Sequence, residues 1–310
     1  MITAVGNPVY DLIVTPHIST DGRVLSGCST NFALVLAKLG ILVTLIGSAG
    51  PDFAQKFEAD LKHFGIRCQL LPSQETGGFS LRYYGSHGER ELTLLGEADP
   101  IRTFAPEHLK ADWIILGPIL QEIDEKLFDW IKKNSTAKIF LDPQGLLRGV
   151  KNGKIYHETT PEVKRIISQV DVVKPNELET KVLTGIDPRL DPYTPAQEIK
   201  SWGPKIVIIT LAELGSVIYD GRDFHEIPAY ETTALDATGA GDTYAGGFVS
   251  AMTKGYKLEK AGIFASSVAS IMVENTGPDF PLTWEEALRR VEVLNKIKRP
   301  DQSGFQLLKK

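Results

Sequence analysis

The 310 residues contain two cysteines, Cys28 and Cys68. They lie far apart and in no metal-like spacing, which argues against a disulfide framework or a cysteine-rich zinc site and fits a reducing cytoplasm. Basic surplus is missing too: 34 Lys and Arg face 39 Asp and Glu, a formal net charge of −5. Binding a phosphate backbone needs a strong positive field, so no nucleic-acid partner is expected, whereas a small anion needs only a local site. The longest apolar run, Phe32 to Ile46, is broken by Lys38 and Gly40 and is too short to span a bilayer. No basic n-region precedes the strand-like start at Met1–Gly6, so no signal peptide is expected. Walker A sequences, internal repeats and low-complexity linkers are absent as well. A soluble, cytoplasmic protein with no membrane partner is the expectation.

What is present is strand–helix alternation. Short apolar, β-branched runs at Ile2–Gly6, Leu42–Ile46, Trp113–Leu116, Lys138–Asp142, Asp171–Val173 and Ile206–Thr210 predict buried strands. Helical patterns at Asn31–Leu39, Phe53–Phe64, Glu122–Lys133, Asn176–Leu183 and Pro195–Trp202 lie between them, and the last third reads as three helices. The order predicts an α/β fold, a mostly parallel sheet with helices on both faces. Two stretches break the alternation, about 11–26 and 78–96, the second reading as a hairpin around Gly85-Ser86-His87-Gly88. Their half-polar faces suit a small lid sheet over the main one, or a surface hairpin with no gating role. Residues 1–300 form one domain in this reading, and 301–310 a polar tail.

The chemistry centres on Asp236-Ala237-Thr238-Gly239-Ala240-Gly241-Asp242, which opens a helix rich in small residues. Gly239, Ala240 and Gly241 let backbone N–H groups converge on an anion at the positive end of the helix dipole. Asp242, in the first turn, is placed to take a proton from an attacking alcohol; the dipole is expected to keep it ionised and weakly basic. A dinucleotide fingerprint fails, because Tyr244 stands where its third glycine belongs. A plain glycine-rich helix cap is the blander alternative.

This loop resembles the C-terminal signature of the ribokinase-like (PfkB) family of carbohydrate and nucleoside kinases. Gly27-Cys28-Ser29-Thr30-Asn31-Phe32-Ala33, continuing to Leu39-Gly40, is similar to the family's first motif, and Gly47–Phe53 to its next turn. The resemblance runs from about Met1 to about Trp284 and implies a three-layer α/β/α sandwich with a β lid. It implies ATP as donor, Mg²⁺ and a monovalent cation, K⁺; exposed strand edges add the expectation of a homodimer through the lid.

By the same resemblance, Asn176 and Glu179 organise Mg²⁺ through its water shell, against the alternative of a capping Asn with a solvated Glu. Thr210 and Gly215 line the nucleotide, with Ala212 standing where the family has glycine, and Ser266 borders the base. Asp11, Gly27 and Asn31 form the acceptor clamp. Asp236, Thr238 and Gly277 are candidates for the monovalent-cation site. Ser26 replaces one glycine of the first motif, and the short stretch between Asp11 and Gly27 implies a reduced lid. Gln144 and Arg148, in Asp142-Pro143-Gln144-Gly145-Leu146-Leu147-Arg148, meet the acceptor or phosphate, or Arg148 is a solvated loop cation. Ser80, Arg82 and Tyr84 share one hairpin face; if it covers the site, Arg82 favours an acidic acceptor.

The activity implied is transfer of the ATP γ-phosphoryl to a hydroxyl of a sugar, polyol or sugar acid. Two rivals stand beside it. A nucleoside kinase would use Tyr10, Tyr83 or Tyr84 to stack a base. A non-catalytic ligand sensor would share the fold but not the reaction.

Overall fold

The computed structural model describes residues 1–84 and 89–297. The Gly85–Gly88 turn and the 301–310 tail lie outside the described residues. The chain opens with β1 (Ile2–Val5), passes into β2 (Val9–Val14), and returns through β3 (Val24–Ser26) to α1 (Cys28–Lys38). There follow β4 (Val43–Ala49), α2 (Ala54–His63), β5 (Arg67–Pro72), β6 (Gly78–Tyr84) and β7 (Glu89–Gly96). Then come β8 (Trp113–Leu116), α3 (Glu125–Asn134), β9 (Lys138–Leu141), β10 (Arg148–Lys151), β11 (Lys154–His157) and α4 (Pro161–Ile167). β12 (Val172–Val173), α5 (Glu177–Thr184), α6 (Tyr193–Trp202), β13 (Ile206–Thr210), β14 (Ser216–Tyr219) and β15 (Phe224–Ile227) continue the alternation. The chain closes on α7 (Ala240–Thr253), α8 (Leu258–Val273) and α9 (Trp284–Lys296).

Among the described residues the strands form two sheets. The larger has nine strands in the order β15-β14-β13-β12-β9-β8-β1-β4-β5. From β5 to β13 every pair is parallel; only β13-β14-β15 run antiparallel, at one edge. Alternate residues of a strand feed two separate cores. On β13, Ile208 joins the cluster that contains Phe248 of α7 and Phe264 of α8, while Val207 and Ile209 join the one with Ile166 of α4 and Ile199 of α6. Period-two alternation with apolar residues on both faces is what a sheet between two helical layers requires. The three-layer α/β/α sandwich expected from the sequence is therefore present.

Helix termini are fixed by short polar side chains. Asp124 caps α3, Thr160 followed by Pro161 caps α4, and Thr283 caps α9, each accepting a bond from a first-turn N–H. A cap of this kind contributes about 1 kcal/mol. α7 needs its small residues for a packing reason. A Cβ on Gly246 would come within 2.8 Å of the Val35 Cβ in α1, and one on Gly247 within 3.0 Å of the Val268 Cβ in α8. Close approach on both sides holds the N-terminus of α7 in place, and with it Asp242. No helix among the described residues is long and apolar enough to cross a membrane.

The lid differs from the sequence expectation. It is a six-stranded sheet, β10-β11-β7-β6-β2-β3, and not a reduced one. The stretch from Asp11 to Gly27 is short, but the β10–β11 hairpin adds two strands at the far edge. That hairpin went unread because its strands are four residues each and largely polar. The lid joins the main sheet where β1 runs on into β2. Buried Glu122 anchors the junction, accepting bonds from the N–H groups of Asn7, Ile119 and Leu120. Helix α4 and strands β5, β14 and β15 were also not read from sequence.

Candidate active site

Gly239 caps α7 in the left-handed region, φ 79°, where an L side chain is strained. Its Cβ would also stand 2.6 Å from the Nδ2 of Asn31, so space and backbone both require glycine. No side chain caps this terminus; within the loop the Ala240 N–H donates to Ala237 O at 3.2 Å. Asp236 braces the loop from below. It is buried, accepts from the Thr238 N–H at 2.8 Å, and is bonded by the Thr276 hydroxyl.

Asp242 stands in the first turn of α7, and its Oδ2 accepts from Asn31 Nδ2 at 2.9 Å. Its carboxyl lies above the ordinary carboxylate range, because of burial first and then the nearby Asp142 charge; Asn31 and Lys174 oppose the shift. The direction is opposite to the weak base expected from the dipole, with desolvation and a second carboxylate as the causes of the rise.

A charge cluster lies beneath. Lys174 Nζ pairs with Asp142 Oδ2 at 2.9 Å, both side chains almost fully buried. Burial alone would lower the Lys174 ammonium, but Asp142 and Glu179 outweigh it and hold it raised. Asn176 and Glu179 form a capping box on α5: Glu179 N–H donates to Asn176 Oδ1 at 2.9 Å, and Asn176 N–H donates to Glu179 Oε2 at 2.9 Å. The capping half of the alternative reading thus holds, while its solvated Glu does not, since Glu179 is buried. Burial, then Asp142, push the Glu179 carboxyl up to about 7. Such a concentration of carboxylates suits the approach of a metal–phosphate group. Ligand atoms of Cys28, Asp142 and Asp242 lie within 4.8 Å of one another, with Lys174 already paired to the second.

Between this floor and the lid is a small, partly open cavity. The structure brings Asp11, Gly27, Asn31, Gln144, Arg148, Thr238, Gly239 and Asp242 to its walls, residues drawn from most of the chain. Asp11 lies within β2, not at a strand end, and accepts from the Phe79 N–H at 2.7 Å. Burial pushes its carboxyl up to about 6, against Ser26, Phe79 and Arg148. Arg148 is not the solvated cation offered as an alternative. It starts β10, is 6% exposed, and donates to Ile119 O and Gln144 Oε1.

Arg82 and Tyr84 face solvent, so the outer hairpin face carries no acceptor contact. The inward cation is Arg90, on β7 opposite Tyr83. Arg90 Nη1 donates to the Tyr83 hydroxyl at 2.7 Å, and Thr238 Oγ1 donates to the same oxygen at 2.9 Å. Lid and anion loop are thereby joined, and the Thr238 hydroxyl is turned to the lid. Sequence reasoning missed Arg90 and Lys174; strand alternation from Tyr83 across the hairpin was the signal for the first.

None of the three tyrosines offered for base stacking lines the cavity. Tyr10 is fully buried against Phe53 and Phe57, Tyr83 is tied to Thr238, and Tyr84 points outward. Thr210, Gly215 and Ser266 also lie away from it. The Thr210 N–H donates to Pro175 O, next to the α5 cap, and Ser266 Oγ donates to Pro228 O. Gly215 has φ 93°, and its Cβ would meet Ile227 O at 2.0 Å, so the β14–β15 pairing accounts for that glycine. Ala212, where the resemblance leads one to expect glycine, adopts φ 48°. Gly277 is left-handed at φ 70°.

The description "pfkB family carbohydrate kinase" matches residues 2–285. The cytidine kinase of Thermococcus kodakarensis is 30% identical over 270 residues, 81% of this chain and 92% of that one. Fructokinase-1 of Oryza sativa is 33% identical over 292 residues, 86% of this chain and 88% of that one. Among solved structures, a pyrophosphate-dependent kinase in the ribokinase family, complexed with a pyrophosphate analog and myo-inositol, superposes with a TM-score of 0.79. It is 26% identical, over 93% of this chain and 99% of that one.

Proposed function

This chain belongs to the pfkB family of carbohydrate kinases, and from that premise we propose that it moves the γ-phosphoryl of MgATP to a hydroxyl of a sugar, polyol or sugar acid. The observation that carries the reading is the Asn31–Asp242 contact, a carboxylate of raised basicity at a helix N-terminus, opening onto a cavity that Asp11 also lines. In this reading Asp11 and Asn31 hold the acceptor hydroxyls, a carboxylate being able to accept from two at once. The reacting hydroxyl oxygen forms the new P–O bond as the bond from the γ-phosphorus to the ADP oxygen breaks, and its proton passes to Asp242. The N–H groups behind Gly239–Gly241 stabilise the charge that spreads over the phosphoryl oxygens.

Asn176 and Glu179 would hold Mg²⁺ through its water shell. The metal would neutralise phosphate charge when bound. Glu179, made hard to ionise by burial and Asp142, gains from the approach of a cation. Thr210, Gly215 and Ser266 would line the nucleotide. Asp236 would contribute to a K⁺ site together with backbone carbonyls. A homodimer through the lid would use its edge strands, β3 and β10.

The test is an acceptor panel with both ATP and pyrophosphate as donors, run in potassium and in a bulky organic cation. Asp242→Asn is expected to lower kcat by about 10²- to 10⁴-fold with ATP binding retained. Near-normal turnover in that variant would remove Asp242 from the mechanism. Nucleosides belong in the panel because of the cytidine kinase relative; the placement of the tyrosines speaks against them.

A further inference from the structure

Two guanidinium groups overhang the acceptor cavity, and the mechanism above leaves their charge without a role. Arg90 comes from β7 and Arg148 from β10, strands separated in the lid by β11, yet both line the same space as Asp11, Asn31 and Asp242. Neither forms an ion pair with a carboxylate among the described residues. Their hydrogen bonds go to neutral oxygens: Arg90 to the Tyr83 hydroxyl, Arg148 to Ile119 O and Gln144 Oε1. Arg148 is 6% exposed, and its Nε has no partner among the described residues. Glu179 acts on both guanidiniums from a distance, but no carboxylate among the described residues pairs with either, and a buried N–H left idle beside a second cation is unfavourable. The field is felt nearby. His157, opposite Arg148 in the hairpin, is lowered to about 4 by burial and then by Arg148 and Arg90.

We propose that the acceptor carries an oxyanion, a carboxylate or phosphate group, that Arg90 and Arg148 hold while Asp11, Asn31 and Asp242 take its hydroxyls. A planar guanidinium matches either group with two parallel N–H bonds, which a lysine cannot reproduce. Arg82, outward on the adjacent strand, has no part in this. The inference rests on the kinase reading and narrows its acceptor to a polyhydroxy acid or a sugar phosphate.

Paired compounds separate the possibilities: glucose with gluconate, and fructose with fructose 6-phosphate, using ADP release as readout. Expected is kcat/KM at least 100-fold higher for an anionic member than for its neutral counterpart. Gluconate alone active points to a carboxylate, fructose 6-phosphate alone to a phosphate. Arg90→Gln and Arg148→Lys should each lower kcat/KM for that acceptor about 100-fold, mainly through KM, and leave the KM of ATP unchanged. Neutral acceptors used as well as their acids, or a loss that falls on the KM of ATP, would overturn the proposal. Thermal shift without donor keeps it separable from the kinase reading. Stabilisation by gluconate or fructose 6-phosphate, absent with glucose or fructose and lost in Arg90→Gln, supports the anion subsite even if no ADP is released. Equal shifts for charged and neutral probes, or none, rule it out.

Discussion

Asn31 Nδ2 donates to Asp242 Oδ2 at 2.9 Å, joining two residues 211 positions apart. The bond favours the ionised carboxylate, so removing it raises the Asp242 pKa further above the ordinary range. A base works only when ionised, and activity then fails at a higher pH than before. Asn31→Ala is expected to move the acid limb of the kcat-against-pH profile upward, by up to about one unit. The profile is read at saturating acceptor, because Asn31 also lines the cavity. An unmoved acid limb would mean that the contact does not tune Asp242.

Asp11 exchanges stability for binding. Burial raises its carboxyl from 3.8 to about 6, so the folded chain holds that proton more tightly than the unfolded chain. Stability from this group is therefore fully present below pH 3.8 and is lost as pH rises through about 6. Asp11→Asn mimics the protonated acid and escapes the loss. It should be more stable than the parent at pH 7, by on the order of 2 kcal/mol, with the gap closing between pH 6 and 4. Its acceptor KM should rise sharply. Denaturant unfolding at several pH values checks the first part, and a variant less stable at pH 7 would refute it.

Ala212 occupies the left-handed region at φ 48° on the turn after β13. An L side chain there costs about 1–2 kcal/mol, against the smaller entropic cost of glycine in the unfolded chain. Ala212→Gly should stabilise the protein by about 0.5–1 kcal/mol. A lower thermal midpoint for the variant would show that the turn gains something from the alanine methyl.

The sequence was legible where local pattern and tertiary demand agree. Strand Ile206–Thr210 has apolar residues for two cores, so its bounds could be read directly. Gly239 could be read because only glycine fits both its φ and the space beside Asn31. The β10–β11 hairpin was not legible, since it depends on pairing with β7 more than on any apolar period of its own. Arg90 was hidden for another reason. Alternation of Phe79, Leu81 and Tyr83 with polar neighbours marks the inward face of β6, but Arg90 shares it only through the register that sets it opposite Tyr83. Lys174 was overlooked because lysine is seldom fully buried, and its partner Asp142 lies on a different strand end.

That pair supports the most demanding test of the site. Lys174 and Asp142 are side by side at 2.9 Å with side-chain exposures of 2% and 3%, out of reach of solvent screening. Breaking such a pair from one side strands a charge in the interior, and Lys174→Met should cost about 3–5 kcal/mol. Two neutral residues strand nothing. The double variant Asp142→Asn/Lys174→Met is therefore expected to recover most of that loss, to within about 1–2 kcal/mol of the parent. Activity should not return with stability, because Lys174 also opposes the upward shift of Asp242 and helps balance Glu179. Urea unfolding and ADP release, measured on the same preparations, separate the two. A double variant as unstable as the single would show that the pair stabilises through shape and not charge, and a double variant with parental kcat would free the base from it.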